Sequence, residues 1–303
     1  MKKILVVGSL NMDMVANVDH IPVVGETILT NSLTLIPGGK GANQAYAAGR
    51  LGAEVTMLGA VGSDSYADML MESLKSAGVA VDSILRKEDT STGVAMIAVN
   101  AEGDNSIIVI SGANAVLTPE DIETKIEILK GSDIVILQLE IPLETVLYTA
   151  KMAKSFGKMV ILDPAPVPKE FPEELYQYVD IIKPNETELS MLTGLSSTGD
   201  DIVNGARELK NRGVRDVMVT LGDKGVYIDS EECGAYLVPG HKVNAVDTTA
   251  AGDTFTAALA IMLAQGKNIK EAAEFANYVS SIVVTRKGAQ SSIPTLEEVM
   301  YQE

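Results

Sequence analysis

The sequence predicts an α/β fold: a doubly wound, mostly parallel sheet flanked by helices, with a small inserted β-sheet lid. Short aliphatic runs alternate with helical segments along the chain, the pattern of βαβ units. Several of those runs are apolar at every position, as strands covered by helices on both faces must be.

The strand-like runs are Ile4–Val7, Val55–Leu58, Ile134–Leu139, Met159–Leu162, Ile181–Ile182 and Val217–Thr220. Helical stretches such as Ala42–Leu51, Tyr66–Ala77, Leu143–Phe156 and Asp200–Asn211 lie between them. Two regions break the rhythm. Residues 14–36 and 93–111 read as strand pairs around the turns Pro22–Glu26 and Asn100–Asn105, with no helix between. These pairs are the predicted lid. Its strands Val94–Val99 and Ile107–Ile110 are too apolar for an isolated flap, which predicts a homodimer joined through the lid. No internal repeat, low-complexity tract or linker is visible, so residues 1–303 read as a single domain with the lid inserted.

Composition narrows the function. At 303 residues the chain can bury a large core; with 46% hydrophobic residues, 4% aromatics and no Trp, that core must be aliphatic. A net charge of -17 argues against a nucleic-acid binder, which needs an extended basic surface, but leaves room for a single nucleotide. One cysteine (Cys233) and two histidines (His20, His241) exclude a disulfide framework and a Cys/His metal cluster, and point to the reducing cytoplasm. Lys2 and Lys3 before Ile4–Val7 imitate the start of a signal peptide, but Gly8, Ser9, Asn11 and Asp13 end the apolar run too soon. No stretch approaches the length of a membrane span, so no membrane partner is expected.

The segment Asp247-Thr248-Thr249-Ala250-Ala251-Gly252-Asp253-Thr254-Phe255 carries the most chemistry. Small residues at Ala250, Ala251 and Gly252 precede a helix expected from Asp253 to Leu263. A helix N-terminus offers free N–H groups and a positive dipole end, and small side chains let a phosphate approach them. Asp253 would sit beside that anion, where phosphoryl transfer needs a base for the attacking hydroxyl. Read alone, Asp253 is an acidic residue favouring its helix N-terminus. It does not stand alone.

The segment Asp247–Phe255 resembles the signature of the PfkB carbohydrate kinase family, and its Ala-Ala-Gly-Asp form resembles the ribokinase branch. Gly38-Gly39-Lys40-Gly41-Ala42-Asn43-Gln44 resembles the family's first signature. Lys183-Pro184-Asn185-Glu186-Thr187-Glu188 resembles its Pro-Asn-x-x-Glu element, and Thr285–Gln290 a C-terminal stretch of the same branch. The likeness runs through essentially the whole chain in consistent order. It implies a ribokinase-like fold and ATP-dependent phosphorylation of D-ribose at its terminal hydroxyl.

The resemblance also implies roles. Asp253 is the catalytic base, and the amides of Ala250, Ala251 and Gly252 form the anion hole. Asn11, Asp13, Gly39, Lys40, Asn43 and Glu140, with Asp253, hold the sugar; amides and carboxylates suit a polyol, and Glu140 follows a strand where α/β sheets place ligands. Asn185, Thr220, Gly222, Lys224, Gly225, Gly252 and Asn277 hold ATP. Asn185 and Glu188 organise Mg²⁺ and its waters, although Asn at an N-cap with Glu three residues on is equally a capping box. Asp247, Thr249, Val283, Arg286, Gly288 and Ser292 hold K⁺, mostly through backbone carbonyls; Arg286-Lys287 is otherwise a solvated basic pair.

The rivals within the family are kinases for 2-deoxyribose, fructose, adenosine or pseudouridine. Asn11 and Asp13 favour a sugar with its hydroxyls present, since a missing hydroxyl leaves polar groups unpaired. Met12 departs from the small residue expected between them, but alternation should turn it to the opposite face. From other classes, a non-catalytic sugar or nucleotide sensor would need no base at Asp253. A nicotinamide-dependent dehydrogenase would carry the Rossmann glycine fingerprint, which is absent, as is the Walker A pattern.

Overall fold

The structure, a computed structural model, describes residues 2–196 and 198–301. In chain order its strands are β1 (Ile4–Val7), β2 (Asn11–Asn17), β3 (Leu33–Gly38), β4 (Val55–Leu58), β5 (Ala60–Gly62), β6 (Leu85–Lys87) and β7 (Gly93–Val99). They continue as β8 (Asn105–Ile110), β9 (Ile134–Leu137), β10 (Met159–Leu162), β11 (Ile181–Ile182), β12 (Asp216–Thr220), β13 (Gly225–Ser230) and β14 (Gly234–Pro239). The main sheet has eight strands in the order β14-β13-β12-β11-β10-β9-β1-β4. Its pairs are parallel from β4 to β12 and antiparallel from β12 to β14.

Both faces of this sheet are covered, and the pleat explains why its strands are apolar throughout. Ile4 and Val6 of β1 enter one core with Ile134, Ile136 and Ile161, packed under the helices Lys40–Arg50, Ala251–Ala264 and Ile269–Val283. Leu5 and Val7 enter the other with Val135, Leu137 and Val160, under Leu143–Ser155 and Asp200–Asn211. An aliphatic core of this kind needs no Trp.

A separate four-stranded sheet, in the order β3-β2-β7-β8, is the lid. It begins earlier than residue 14. Asn11 already pairs with Gly38 of β3 and with Gly93 of β7, so the sheet reaches down to the body. Met12 is fully buried in the first core, while Asn11 and Asp13 face the other way, as alternation requires. Two features lie beyond the sequence reading: the antiparallel hairpin β13–β14 and the short parallel pair β5–β6. The hairpin is hard to see because Gly234, Ala235 and Pro239 dilute the aliphatic pattern of its edge strand. Among the described residues, no helix is long and apolar enough to cross a membrane.

The helix Lys40–Arg50 packs unusually close to the link between β1 and β2. A Cβ at Gly41 would lie 2.6 Å from Ser9 N and 2.7 Å from Gly8 C, which are backbone atoms that cannot swing aside. Gly41→Ala should therefore cost about 1–3 kcal/mol, lowering the thermal midpoint by roughly 2–10 °C. Thermal unfolding of the variant checks this; an unchanged midpoint would show that the helix can shift freely.

Candidate active site

The C-terminal ends of the parallel strands deliver a set of polar residues to one place, as open α/β sheets do. Gln138 and Glu140 follow β9, Asp163 follows β10, Lys183 follows β11, and Thr220 ends β12. Above them stand the N-termini of the helices Lys40–Arg50 and Ala251–Ala264.

Asp253 lies in the first turn of the helix Ala251–Ala264 and is only 6% exposed. Its Oδ2 accepts from Asn43 Nδ2 at 3.1 Å and its Oδ1 from Gln44 Nε2 at 3.0 Å. Gln44 Nε2 also donates to Asp163 Oδ2 (2.9 Å), while Gln44 Oε1 accepts from Gln138 (2.6 Å). Asp163 pairs with Lys183 at 3.2 Å, and Lys183 Nζ reaches Gly252 O at 3.3 Å, tying the pair to the helix start. Burial raises the pKa of Asp253; Lys40 opposes that and Asp163 adds to it. A carboxyl group raised in this way is a stronger base when ionised. Lys40 makes no ion pair among the described residues. Burial disfavours its charged form, yet Asp253, Asp163, Glu140 and Glu188 hold its pKa above the ordinary lysine value.

The helix start is open to an anion. Ala250 adopts a left-handed conformation (φ 61), the single non-glycine residue among those described to do so, and this turns the chain into the helix. That conformation costs an L-residue on the order of 1 kcal/mol, and such strain concentrates at functional sites. The N–H groups of Gly252 and Asp253 meet no acceptor among the described residues, whereas Ala251 N is turned back to Thr248 O at 3.3 Å. Ala250 N likewise meets no acceptor among them, so within Ala250–Asp253 only the Ala251 N–H is engaged.

One cavity is lined by this helix start, and a second lies by the lid. A cleft of about 710 Å³ is lined by Lys40, Asp163, Lys183, Asn185, Gly252 and Asp253, and extends past Thr220, Gly222, Gly225 and Asn277. A second, of about 420 Å³, lies between Asn11, Glu140, Asn114 and the lid residue Val109. Glu140 Oε2 accepts from Ser9 Oγ (2.5 Å) and Lys40 N (3.0 Å), so one of its oxygens caps a helix and the other remains for a ligand. Gly39 (φ 88) lets the chain pass against Asn11 N, 2.8 Å from where a Cβ would be.

A family model described as pfkB family carbohydrate kinase matches residues 1–296. The chain belongs to this family. Among its PfkB relatives, a bifunctional ribokinase/ribose-5-phosphate isomerase A of Fructilactobacillus sanfranciscensis is 42% identical over 99% of this chain. The chain spans 56% of that protein's length, so it matches about half of it. A Staphylococcus aureus ribokinase is 39% identical, with 98% of each chain covered, and a Salmonella typhi deoxyribokinase is 40% identical over 97% of this chain and 96% of its own. The structure of Arabidopsis thaliana ribokinase complexed with ribose and ATP superposes with a TM-score of 0.94 at 36% identity, covering 99% and 98% of the two chains.

Asn185 and Glu188 form the reciprocal capping box: Asn185 Oδ1 accepts from Glu188 N and Glu188 Oε2 from Asn185 N, both at 2.8 Å. Both also line the larger cleft, and burial, with Asp163 nearby, raises the pKa of Glu188. Lys224 points its ammonium outward to Glu186 (3.4 Å), so its loop flanks the cleft through Gly222 and Gly225. Asn277 Nδ2 donates to Pro239 O at 2.9 Å.

Asp247 binds Thr249 N (2.9 Å) and Thr249 Oγ1 (2.6 Å) through one oxygen and Gly288 N (2.9 Å) through the other. Burial acts upward on the Asp247 carboxyl, but these bonds outweigh it and keep its pKa below the usual value. Val283, Arg286 and Ser292 lie on the adjoining C-terminal turn with other partners. Val283 O accepts from Arg286 N, and Ser292 Oγ donates to Ala289 O. The Arg286 side chain is not a solvated cation; it pairs with Glu298 at 3.0 Å.

Ser9, Gln44, Asn114, Gln138, Asp163, Lys183, His241 and Lys242 have no site role in the sequence reading, although Gln44 and Lys183 stand inside two of its motifs. For Gln138, Asp163 and Lys183 a signal existed, since each is the polar residue that directly follows an apolar strand.

Asp13 carries a pH signature. Burial, then Glu140 and Asp253, push its carboxyl up to about 7. The folded state therefore holds a proton there that the unfolded chain has released, so this contribution to stability is full below about pH 4 and is lost as pH rises through 7. Asp13→Asn should leave stability unchanged near pH 4 and raise it at pH 8 by on the order of 2 kcal/mol, discounted for partial exposure. Denaturant unfolding at both pH values checks this; a difference independent of pH would refute it.

Proposed function

We propose that this protein transfers the γ-phosphoryl group of ATP to the terminal 5-hydroxyl of D-ribose, giving ribose 5-phosphate and ADP. One observation carries the reading: a buried carboxylate and unpaired helix amides meet on the wall of the larger cleft, and Glu140 of the second cavity accepts from the backbone of Lys40, which lines that cleft. The likeness to the ribokinase complexed with ribose and ATP supports the assignment of one cavity to each substrate.

Ribose enters by the smaller cavity, which Asn11 and Glu140 line, and reaches from there toward Asp13, Asn43, the Gly39 backbone and Lys40 on the wall of the larger cleft. ATP lies along the larger cleft by Asn185, Thr220, Gly222, Gly225 and Asn277. Asp253 takes the proton of the 5-hydroxyl as that oxygen bonds to the γ-phosphorus. The bond to the bridging oxygen breaks and its electrons leave with ADP. The amides of the Ala250–Asp253 turn and the Lys40 ammonium stabilise the charge on the transferring group. The lid excludes water, which would otherwise take the phosphoryl group.

A hard divalent ion such as Mg²⁺ would neutralise the phosphates, and the oxygens of Asn185 and Glu188 on the cleft wall suit it through retained water. The ionised Asp247 beside the carbonyl-rich 283–292 turn suits K⁺, which would order the loop that leads into the helix. The exposed Ile107, Ile108, Val109 and Ile110 of the lid's edge strand β8 support a homodimer. The whole chain acts as one domain with the lid inserted, in the cytoplasm where ATP is supplied. The second reading is 2-deoxyribose, favoured by the 40% identity to a deoxyribokinase; Asn11 and Asp13 weigh for the hydroxyl-bearing sugar.

A coupled ADP-release assay across D-ribose, 2-deoxyribose, fructose, adenosine and pseudouridine should give the highest kcat/KM with ribose, and a lower rate when Na⁺ replaces K⁺. Asp253→Ala should lose about 10²–10⁴-fold in kcat while ribose binding holds within a few-fold. Near-full turnover in that variant would remove Asp253 from its role. Ile108→Lys should yield monomers in sedimentation velocity if the lid joins two subunits.

A further inference from the structure

Asn114 lies in the 3₁₀ turn Gly112–Val116, just past the lid strand β8, and is 1% exposed. Its side chain makes three hydrogen bonds. Oδ1 accepts from Leu10 N at 2.9 Å, and Nδ2 donates to Leu10 O at 3.0 Å and to Asn11 Oδ1 at 2.7 Å. These bonds decide the orientation of two amides. The Leu10 backbone N–H can only donate, so the atom facing it must be the oxygen of Asn114. The amide nitrogen of Asn114 then faces Asn11, so the atom it meets there must be the oxygen of Asn11. The remaining end of Asn11, its NH₂ group, is left for the cavity that Asn11, Asn114 and Glu140 line together. Gly93 leaves room for this contact, since a Cβ there would overlap both Asn11 Oδ1 and Asn114 Nδ2.

We propose that Asn114 is a positioning residue for sugar selectivity: it locks Asn11 as a hydrogen-bond donor toward the substrate. The inference rests on the reading of the smaller cavity as the sugar site. Glu140 lines the same cavity and offers a carboxylate acceptor there, and Asp13 lies on the same face of β2 as Asn11. A sugar hydroxyl between these carboxylates and Asn11 accepts from the amide and donates to a carboxylate. An analogue without that hydroxyl leaves a buried N–H and a carboxylate both unpaired, which is how a polar site rejects it. If Asn11 can turn its amide over, its oxygen faces the carboxylates and this discrimination is lost.

The test is the ratio of kcat/KM for D-ribose to that for 2-deoxyribose in the full-length protein. Asn114→Ala should lower the ratio about tenfold, mainly through the KM for ribose, with the KM for ATP unchanged. Asn114→Ser keeps an acceptor near Leu10 N but cannot reach Asn11; it should give the same loss, and it serves if the alanine variant does not fold. In an Asn11→Ala background either substitution should leave the ratio where Asn11→Ala alone puts it. A ratio unchanged in both variants, an equal fall for both sugars, or a further drop in the Asn11→Ala background would overturn the proposal. Failure of the parent protein to phosphorylate either sugar would instead strike at the reading of the site itself.

Discussion

A single buried carboxylate sets the demands that the rest of the site meets. Asp253 sits at the head of a helix, almost without solvent, and an ionised group there needs donors and nearby positive charge. Asn43 and Gln44 supply the donors, one to each oxygen. Lys40 supplies the charge without a closed ion pair among the described residues, on the wall of the larger cleft. Asp163 and Lys183 form a second, closed pair beneath them, which holds Gln44 on one side and the Gly252 carbonyl on the other.

This arrangement depends on close packing of backbone on backbone. Asn43 and Gln44 reach Asp253 because their helix starts hard against the β1–β2 link, where Gly39 and Gly41 present no side chain. The helix start is then capped from outside its own sequence. Glu140 accepts from Lys40 N, while the Ser9 hydroxyl and carbonyl accept from Gly41 N and Ala42 N. Glu140, proposed for the sugar, thus also holds the helix that begins with Lys40.

Much of this was legible in the residues themselves. The glycine-lysine-glycine run, the Ala-Ala-Gly-Asp turn and the aliphatic rhythm of β1, β4, β9, β10 and β11 announce themselves because local composition reports them. Asn114, Gln44 and Ser9 did not, for a physical reason. Each is a lone polar residue whose importance comes from a partner far along the chain, as with Asn114 and Leu10 or Gln44 and Asp253. No periodicity encodes such a pairing. The capping box at Asn185 was visible in the residues, but its place beside Thr220 came from the family likeness alone, because the parallel bridge between Asn185 and Thr220 is a tertiary fact.

The most direct test of the whole account is a crystal structure with D-ribose and a non-hydrolysable ATP analogue bound together. The sugar's terminal oxygen should lie about 3 Å from an Asp253 carboxylate oxygen, with the γ-phosphate against the Gly252 and Asp253 amides in line with it. A terminal hydroxyl turned away from Asp253, or a packed side chain between it and the phosphate, would contradict it.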